Sequence, residues 1–172
     1  MNVPLIPLKQ GRRIIFIVCG TAKAQPRIKG MCRGKFAHFY TPDTADVWKG
    51  RVKAAALKAI EGKPLKNAVA IDLTFTMERP KSHYGTGRNS DRLKGDAPQL
   101  HTQKPDVDNL AKAVLDALND CKAMDDDAKV ISLHISKFWW KRSKFSKPGL
   151  DIQIQEIVVP DWRDDIQSGG SE

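Results

Sequence analysis

Val69, Ile71, Leu73, Phe75 and Met77 alternate with Ala70, Asp72, Thr74 and Thr76. Successive side chains of a strand point to opposite faces, so this stretch buries one face and leaves the other half polar. Something apolar must therefore cover a single side of the sheet. Two stretches at helical spacing are suited to it. Trp48, Val52, Ala55 and Ala59 predict a helix over 43–61, with Thr41 as N-cap, Pro42 at the first helical position, Asp43 and Asp46 in the first turn and Gly62 as the stop. Leu110, Val114 and Leu118 share one side of a second helix over 106–119.

The apolar β-branched run 14–19 predicts a central strand. Ile131, Leu133 and Ile135 predict another, ending in Trp139 and Trp140. The basic segment 141–147 then turns through Pro148 and Gly149 into Leu150, Ile152 and Ile154, and the two strands read as a hairpin. Residues 20–40 read as a basic loop. Residues 80–103, polar and without periodicity, read as a mobile loop whose Lys81, Arg88, Arg92 and Lys94 are placed to reach a ligand. The order β-α-β-α-β-β predicts an α+β domain over 1–159, with two helices on a mainly antiparallel or mixed four-stranded sheet, followed by an acidic Gly/Ser-rich tail over 160–172 that is expected to fray.

The net charge of +9 is unevenly placed. Residues 1–53 hold eleven Lys and Arg against two acids, and the remainder holds eighteen of each. A surplus confined to one third of a chain is the footprint of a polyanion partner. Nucleic acid is favoured over an acidic membrane because no basic amphipathic helix accompanies the charge. Lys23, Arg27, Lys29, Arg33 and Lys35 are the candidate phosphate contacts, with Lys137 counted beside them. Phe36, Phe39 and Tyr40 are read as core in preference to a stacking wedge.

Cys19, Cys32 and Cys121 are odd in number and lack C-x-x-C spacing, which speaks against disulfide or zinc roles and for a reducing compartment. Arg12 and Arg13 followed by the 14–19 run imitate a short secretory signal, but the run is minimal and reads better as a strand. No stretch is long enough to span a membrane.

Acids cluster at both ends of the second helix: Asp106 and Asp108 open it, and Asp125, Asp126 and Asp127 follow it. At roughly 5 Å and an effective dielectric of about 20, a pair of carboxylates repels by about 3 kcal/mol. A bound cation relieves such repulsion, and oxygen-only ligands in a basic chain point to Mg²⁺ beside a phosphate backbone. The simpler account is structural, with Asp106 as an N-cap worth about 0.5–2 kcal/mol, Asp108 favouring the helix dipole, and the second cluster shaping a turn. Lys112 lies between Asp108 and Asp116 at i,i+4 spacing. It is read either as one rung of an exposed ion-pair ladder or as the cation that stabilises charge developing on a scissile phosphate.

The run K-P-D-V-D-N-L-A-K-A-V-L-D-A-L over 104–118, with D-D-A-K-V over 126–130, resembles the RusA family of Holliday-junction resolvases. The likeness is ungapped over 104–137. Gly20, Lys23, Pro26 and Arg27, together with Tyr40, Thr41 and Pro42, also look like the family's N-terminal half. The resemblance implies metal-binding carboxylates at Asp106, Asp108 and Asp127, with Asp126 adjacent, and a functional lysine at Lys112. It further implies Mg²⁺-dependent phosphodiester hydrolysis, with Mn²⁺ able to substitute. The agent would be a homodimer acting on four-way or branched DNA in a bacterial cytoplasm, encoded by genes that often travel in prophages. Asp125 is an extra acid here, and Lys129 stands where glutamine is usual.

The residues agree with that chemistry. His38, His83, His101 and His134 are isolated and read as surface or packed side chains, and no phosphate-loop spacing occurs. An EF-hand is disfavoured because Leu110 takes the third ligand position. No small-molecule cofactor and no membrane partner are expected. A metal-dependent nuclease of other branched DNA uses the same residues, and a non-catalytic nucleic-acid-binding module remains the alternative from another class. The enzyme reading depends on the two acidic clusters converging into one pocket.

Overall fold

The computed structural model describes residues 9–33, 36–40, 42–141 and 147–159. Eight principal elements follow in order: β1 (Lys9–Cys19), β2 (Lys29–Arg33), β3 (Phe36–Tyr40), α1 (Asp46–Ile60), β4 (Ala68–Met77), α2 (Val107–Asp120), β5 (Val130–Trp139) and β6 (Gly149–Val158). The main sheet has the order β1-β6-β4-β5, with β6 antiparallel to both neighbours and β5 parallel to β4. The α+β class and the mixed sheet are as expected.

The alternation in β4 does what its pattern requires. Val69, Ile71, Leu73, Phe75 and Met77 are buried, while Asp72 on the other face is exposed. Register carries this inner face across the sheet, from Ile14 and Val18 through Leu150, Ile152 and Ile154. Trp48, Val52, Ala56 and Ile60 of α1 and Leu110, Val114, Ala117 and Leu118 of α2 complete one core on that side. Lys53 with Asp120, 2.7 Å apart, and Lys49 with Asp116, 3.3 Å apart, bridge the two helices at the surface.

Four local expectations are corrected. The 14–19 run belongs to an edge strand, because β6 returns between β1 and β4. For the same reason β5 and β6 are not hydrogen-bonded as a hairpin: each pairs with β4, on opposite sides. Helix α1 starts at Asp46, after Ala45 and without a side-chain cap; Asp43 instead closes the preceding turn, accepting the Asp46 N–H at 3.0 Å. Thr41, the expected cap, lies outside the described residues. Finally, half of the expected loop 20–40 is an antiparallel ribbon, β2 with β3, on which Phe36, Phe39 and Tyr40 are exposed rather than in the core. The tail 160–172 and residues 142–146 of the basic turn also lie outside the described residues. No helix among the described residues is long and apolar enough to cross a membrane.

Candidate active site

Helix α2 begins at Val107 with Asp106 in extended geometry (φ −73°, ψ 148°) at the N-cap position. Its carboxylate makes no capping hydrogen bond, so capping does not account for it. Asp108, one residue into the helix, is exposed and accepts only a long 3.5 Å bond from the Asn109 side chain. Two carboxylates with open lone pairs thus sit at the positive end of a helix dipole, where anions are favoured.

The basic segment after β1 is laid across this helix start. The Gln25 N–H donates to the Asn109 carbonyl at 2.9 Å, and Ala22 is buried beneath it. Lys23 and Arg27 consequently line the same cavity as Lys104, Asp106 and Asn109, an open pocket of about 570 Å³. Gln25 Oε1 is buried there without a hydrogen-bond donor among the described residues. Lys29 lies further out on the ribbon. The ribbon also carries the backbone of Arg33, and Lys35 is outside the described residues. Lys137 is committed elsewhere: its ammonium donates to the Gln103 and Pro105 carbonyls, each at 2.7 Å, pinning the chain just ahead of Asp106.

Lys112 is exposed one turn beyond Asp108, and no ion pair engages it among the described residues. The expected ladder is not formed, because Asp116 turns to Lys49 of α1.

The second acidic cluster is elsewhere. Asp127 opens a 3₁₀ turn (Asp127–Lys129) at the start of β5, whereas Lys137, near the other end of β5, touches Pro105. Helix α2 runs back along that strand, and its 14 residues span about 21 Å. Asp106 and Asp127 therefore lie at opposite ends of one helix, and the expectation that the clusters meet within one chain is corrected. No group of three or more His, Cys, Asp or Glu side chains able to share one ion occurs among the described residues. Asp125 is held by Lys129 at 2.6 Å, which keeps its carboxyl below the usual range. Asp126 accepts the Ala128 N–H at 2.8 Å, and that bond, with the neighbouring Asp127 carboxyl, lowers it as well. Turn chemistry accounts for both, and among the described residues no ion pair or backbone N–H engages the Asp127 carboxylate, whose neighbour is the Asp126 carboxyl.

One group escaped the sequence reading. Trp139 closes the inner face at the end of β5, with the His101 ring 3.9 Å away, the His83 ring edge-on at 4.9 Å and the Arg79 guanidinium 5.5 Å above it. Its indole N–H donates to the Leu100 carbonyl at 2.9 Å. Burial, then the nearby Lys137 cation, pushes the His101 imidazole below its ordinary pKa. No periodicity marks these residues, because loop and strand supply them separately.

An uncapped Asp106 in a groove rimmed by Lys23, Arg27 and Lys104, with Asp108 exposed two residues further on, on a one-sided α+β sheet, fits the class of a nucleic-acid-processing enzyme domain. The chain belongs to the RusA family: the family model Endodeoxyribonuclease RusA matches residues 20–155, which places it among endodeoxyribonucleases. It is also 31% identical over 147 residues to the uncharacterized protein YqaN of Bacillus subtilis (strain 168), covering 84% of this chain and 96% of that protein.

Proposed function

We propose that this protein is a Mg²⁺-dependent endonuclease that resolves four-way DNA junctions by paired strand cuts, with Mn²⁺ able to replace Mg²⁺. The observation that carries the reading is the uncapped Asp106 in a cation-rimmed groove, with the exposed Asp108 two residues along the same helix start, in a chain of the RusA family. The donor set fits the metal. Mg²⁺ is held by one or two carboxylates, keeps several waters and takes phosphate oxygens from substrate. Asp106 and Asp108 supply the carboxylates, and the orphaned Gln25 Oε1 offers an acceptor for a water beside them.

Lys23, Arg27 and Lys104 neutralise the phosphates of the strand entering the groove, and binding weakens steeply with salt. When bound, the cation supplies a water of lowered pKa and polarises the phosphoryl oxygen. Lys112, which no carboxylate engages among the described residues, lies one turn along α2 from Asp108, a rise of about 6 Å, and its ammonium stabilises the charge that develops on the phosphate. Because Asp127 lies at the far end of α2, it joins Asp106 and Asp108 in this reading from a second copy of the chain. A homodimer would thereby add a third carboxylate to each site, and it matches the two-fold character of a four-way junction.

The test compares a four-way junction, a linear duplex and a flap, each with Mg²⁺ and with EDTA. Metal-dependent cutting of the junction alone is expected, and Asp108→Asn should abolish it while junction binding persists. Cutting of the flap as efficiently as the junction would favour a broader branched-DNA nuclease. Binding without cutting under every metal would leave a non-catalytic module.

A further inference from the structure

We infer that the cavity walled by Tyr84 and Trp140 receives one unpaired nucleobase of the strand whose phosphate lies at Asp106 and Asp108. The inference rests on the nuclease reading for the identity of that strand. Its geometric basis is a chain of three cavities. The pocket of about 570 Å³ at Asp106 shares Thr21, Met77 and Lys104 with a second of about 460 Å³. The second shares Glu78, Arg79 and Lys81 with a third of about 700 Å³, which Tyr84 and Trp140 line. The three are thus one trench, with cations along its whole course.

The chemistry changes at the far end. Toward Asp106 the rim is basic and suits phosphates, whereas the terminal cavity sets Asp91 and two aromatic side chains beside Glu78, which it shares with the neighbouring cavity. Carboxylates repel a phosphate but accept hydrogen bonds from base edges, and aromatic faces stack on any base. Arg79 and Lys81, shared with the neighbouring cavity, stand where the attached phosphate would lie. Its volume is in the range of small-ligand pockets.

The wall is built in advance of any ligand. The Gly85 N–H donates to the Arg92 carbonyl at 2.9 Å and the Lys94 N–H to the His83 carbonyl at 3.0 Å, while the His83 ring is anchored on Trp139. The Trp140 N–H donates to the Met77 carbonyl at 2.7 Å, fixing the opposite wall to β4. Gly85 is required at the turn, since a Cβ there would stand 2.7 Å from the Asn89 carbonyl oxygen. Segment 80–103, expected from sequence to be a mobile loop, is in this region a hydrogen-bonded scaffold.

The experiment places 2-aminopurine at successive positions around the branch point of a four-way junction and reads its fluorescence on binding in EDTA, where nothing is cut. Full-length protein should quench the probe at one position on the strand to be cut. Tyr84→Leu and Trp140→Leu should each abolish that quench and weaken junction binding about 5- to 150-fold, the range for losing one base–aromatic stack. Thr86→Trp, on the exposed rim, fills the cavity without disturbing the core and should do the same. Asp108→Asn should quench as the unaltered protein does. No position-selective quench, or a quench unchanged in Trp140→Leu and Thr86→Trp, overturns the inference even if the junction is cut normally. Selective quenching without Mg²⁺-dependent cutting would leave the base pocket standing and remove the nuclease reading.

Discussion

Lys137, on the inner face of β5, lies 2.7 Å from the carbonyl oxygen of Pro105, the residue that immediately precedes Asp106. A second bond of the same length to Gln103 makes this lysine a clamp on the backbone that delivers the acidic pair. Hydrogen bonds from charged groups contribute about 1.5–3 kcal/mol each. Lys137→Met removes both and should therefore lower stability by about 3 kcal/mol in urea unfolding. Single-turnover cutting should fall at least about 10-fold, while junction affinity stays within about 3-fold, because misplacement by 1 Å is felt mainly in the chemical step.

Asp127 and Asp108 can be tested as members of different subunits. Asp108→Asn and Asp127→Asn should each be inactive alone. Mixed and reassembled as heterodimers, they should regain single-strand nicking, because one of the two shared sites then keeps both carboxylates. A mixture as dead as its components would place the site within one chain and contradict the composite arrangement.

Lys112 is exposed and uncommitted, so it can be removed without structural cost. Lys112→Ala should change unfolding free energy by less than about 0.5 kcal/mol, as for surface substitutions generally. Its cutting rate should drop by about 10²–10³, the scale for losing one stabiliser of developing charge. A large stability loss would show that the lysine is structural.

His101 gives the fold a pH dependence whose sign is fixed by burial. Its folded pKa lies below the ordinary 6.5, with desolvation the first cause and Lys137 the second. The unfolded chain thus takes up a proton before the folded one does. Stability is full above the ordinary value and declines as pH falls below it, down to the lowered folded value. Urea midpoints at pH 7.5 and 5.5 should differ, and His101→Phe should narrow the gap. An unchanged gap would assign the effect to other groups.

On β6, a Cβ on Gly149 would collide with the Val18 carbonyl oxygen, where β6 pairs with the end of β1. Gly149→Ala should cost about 2–4 kcal/mol, since rigid backbone rather than a movable side chain must give way. Thermal unfolding followed by circular dichroism would check it.

Which stretches are helix and strand was legible because period-2 and period-3.6 patterns are local consequences of one-sided burial, as in Val69 to Met77 and Leu110 to Leu118. The start of α2 was equally readable, from Pro105 and the acids around it. The ribbon was not: Phe36, Phe39 and Tyr40 look like core in composition, yet they pair with β2 away from the helices. Nor was the stack of Arg79, His83 and His101 on Trp139, because the strand that carries Trp139 is distant in the chain from the segment that supplies the other three.

The amino-acid order alone determined the two helices and the four strands of the main sheet, the basic N-terminal third and the acidic motif that marks the family. Tertiary structure decided which strand lies beside which, that Lys23 and Arg27 face Asp106, and that Asp127 does not. Periodicity records which side of an element is buried but not against what. Nothing local to 106–127 encodes that a helix about 21 Å long keeps its two acidic ends apart.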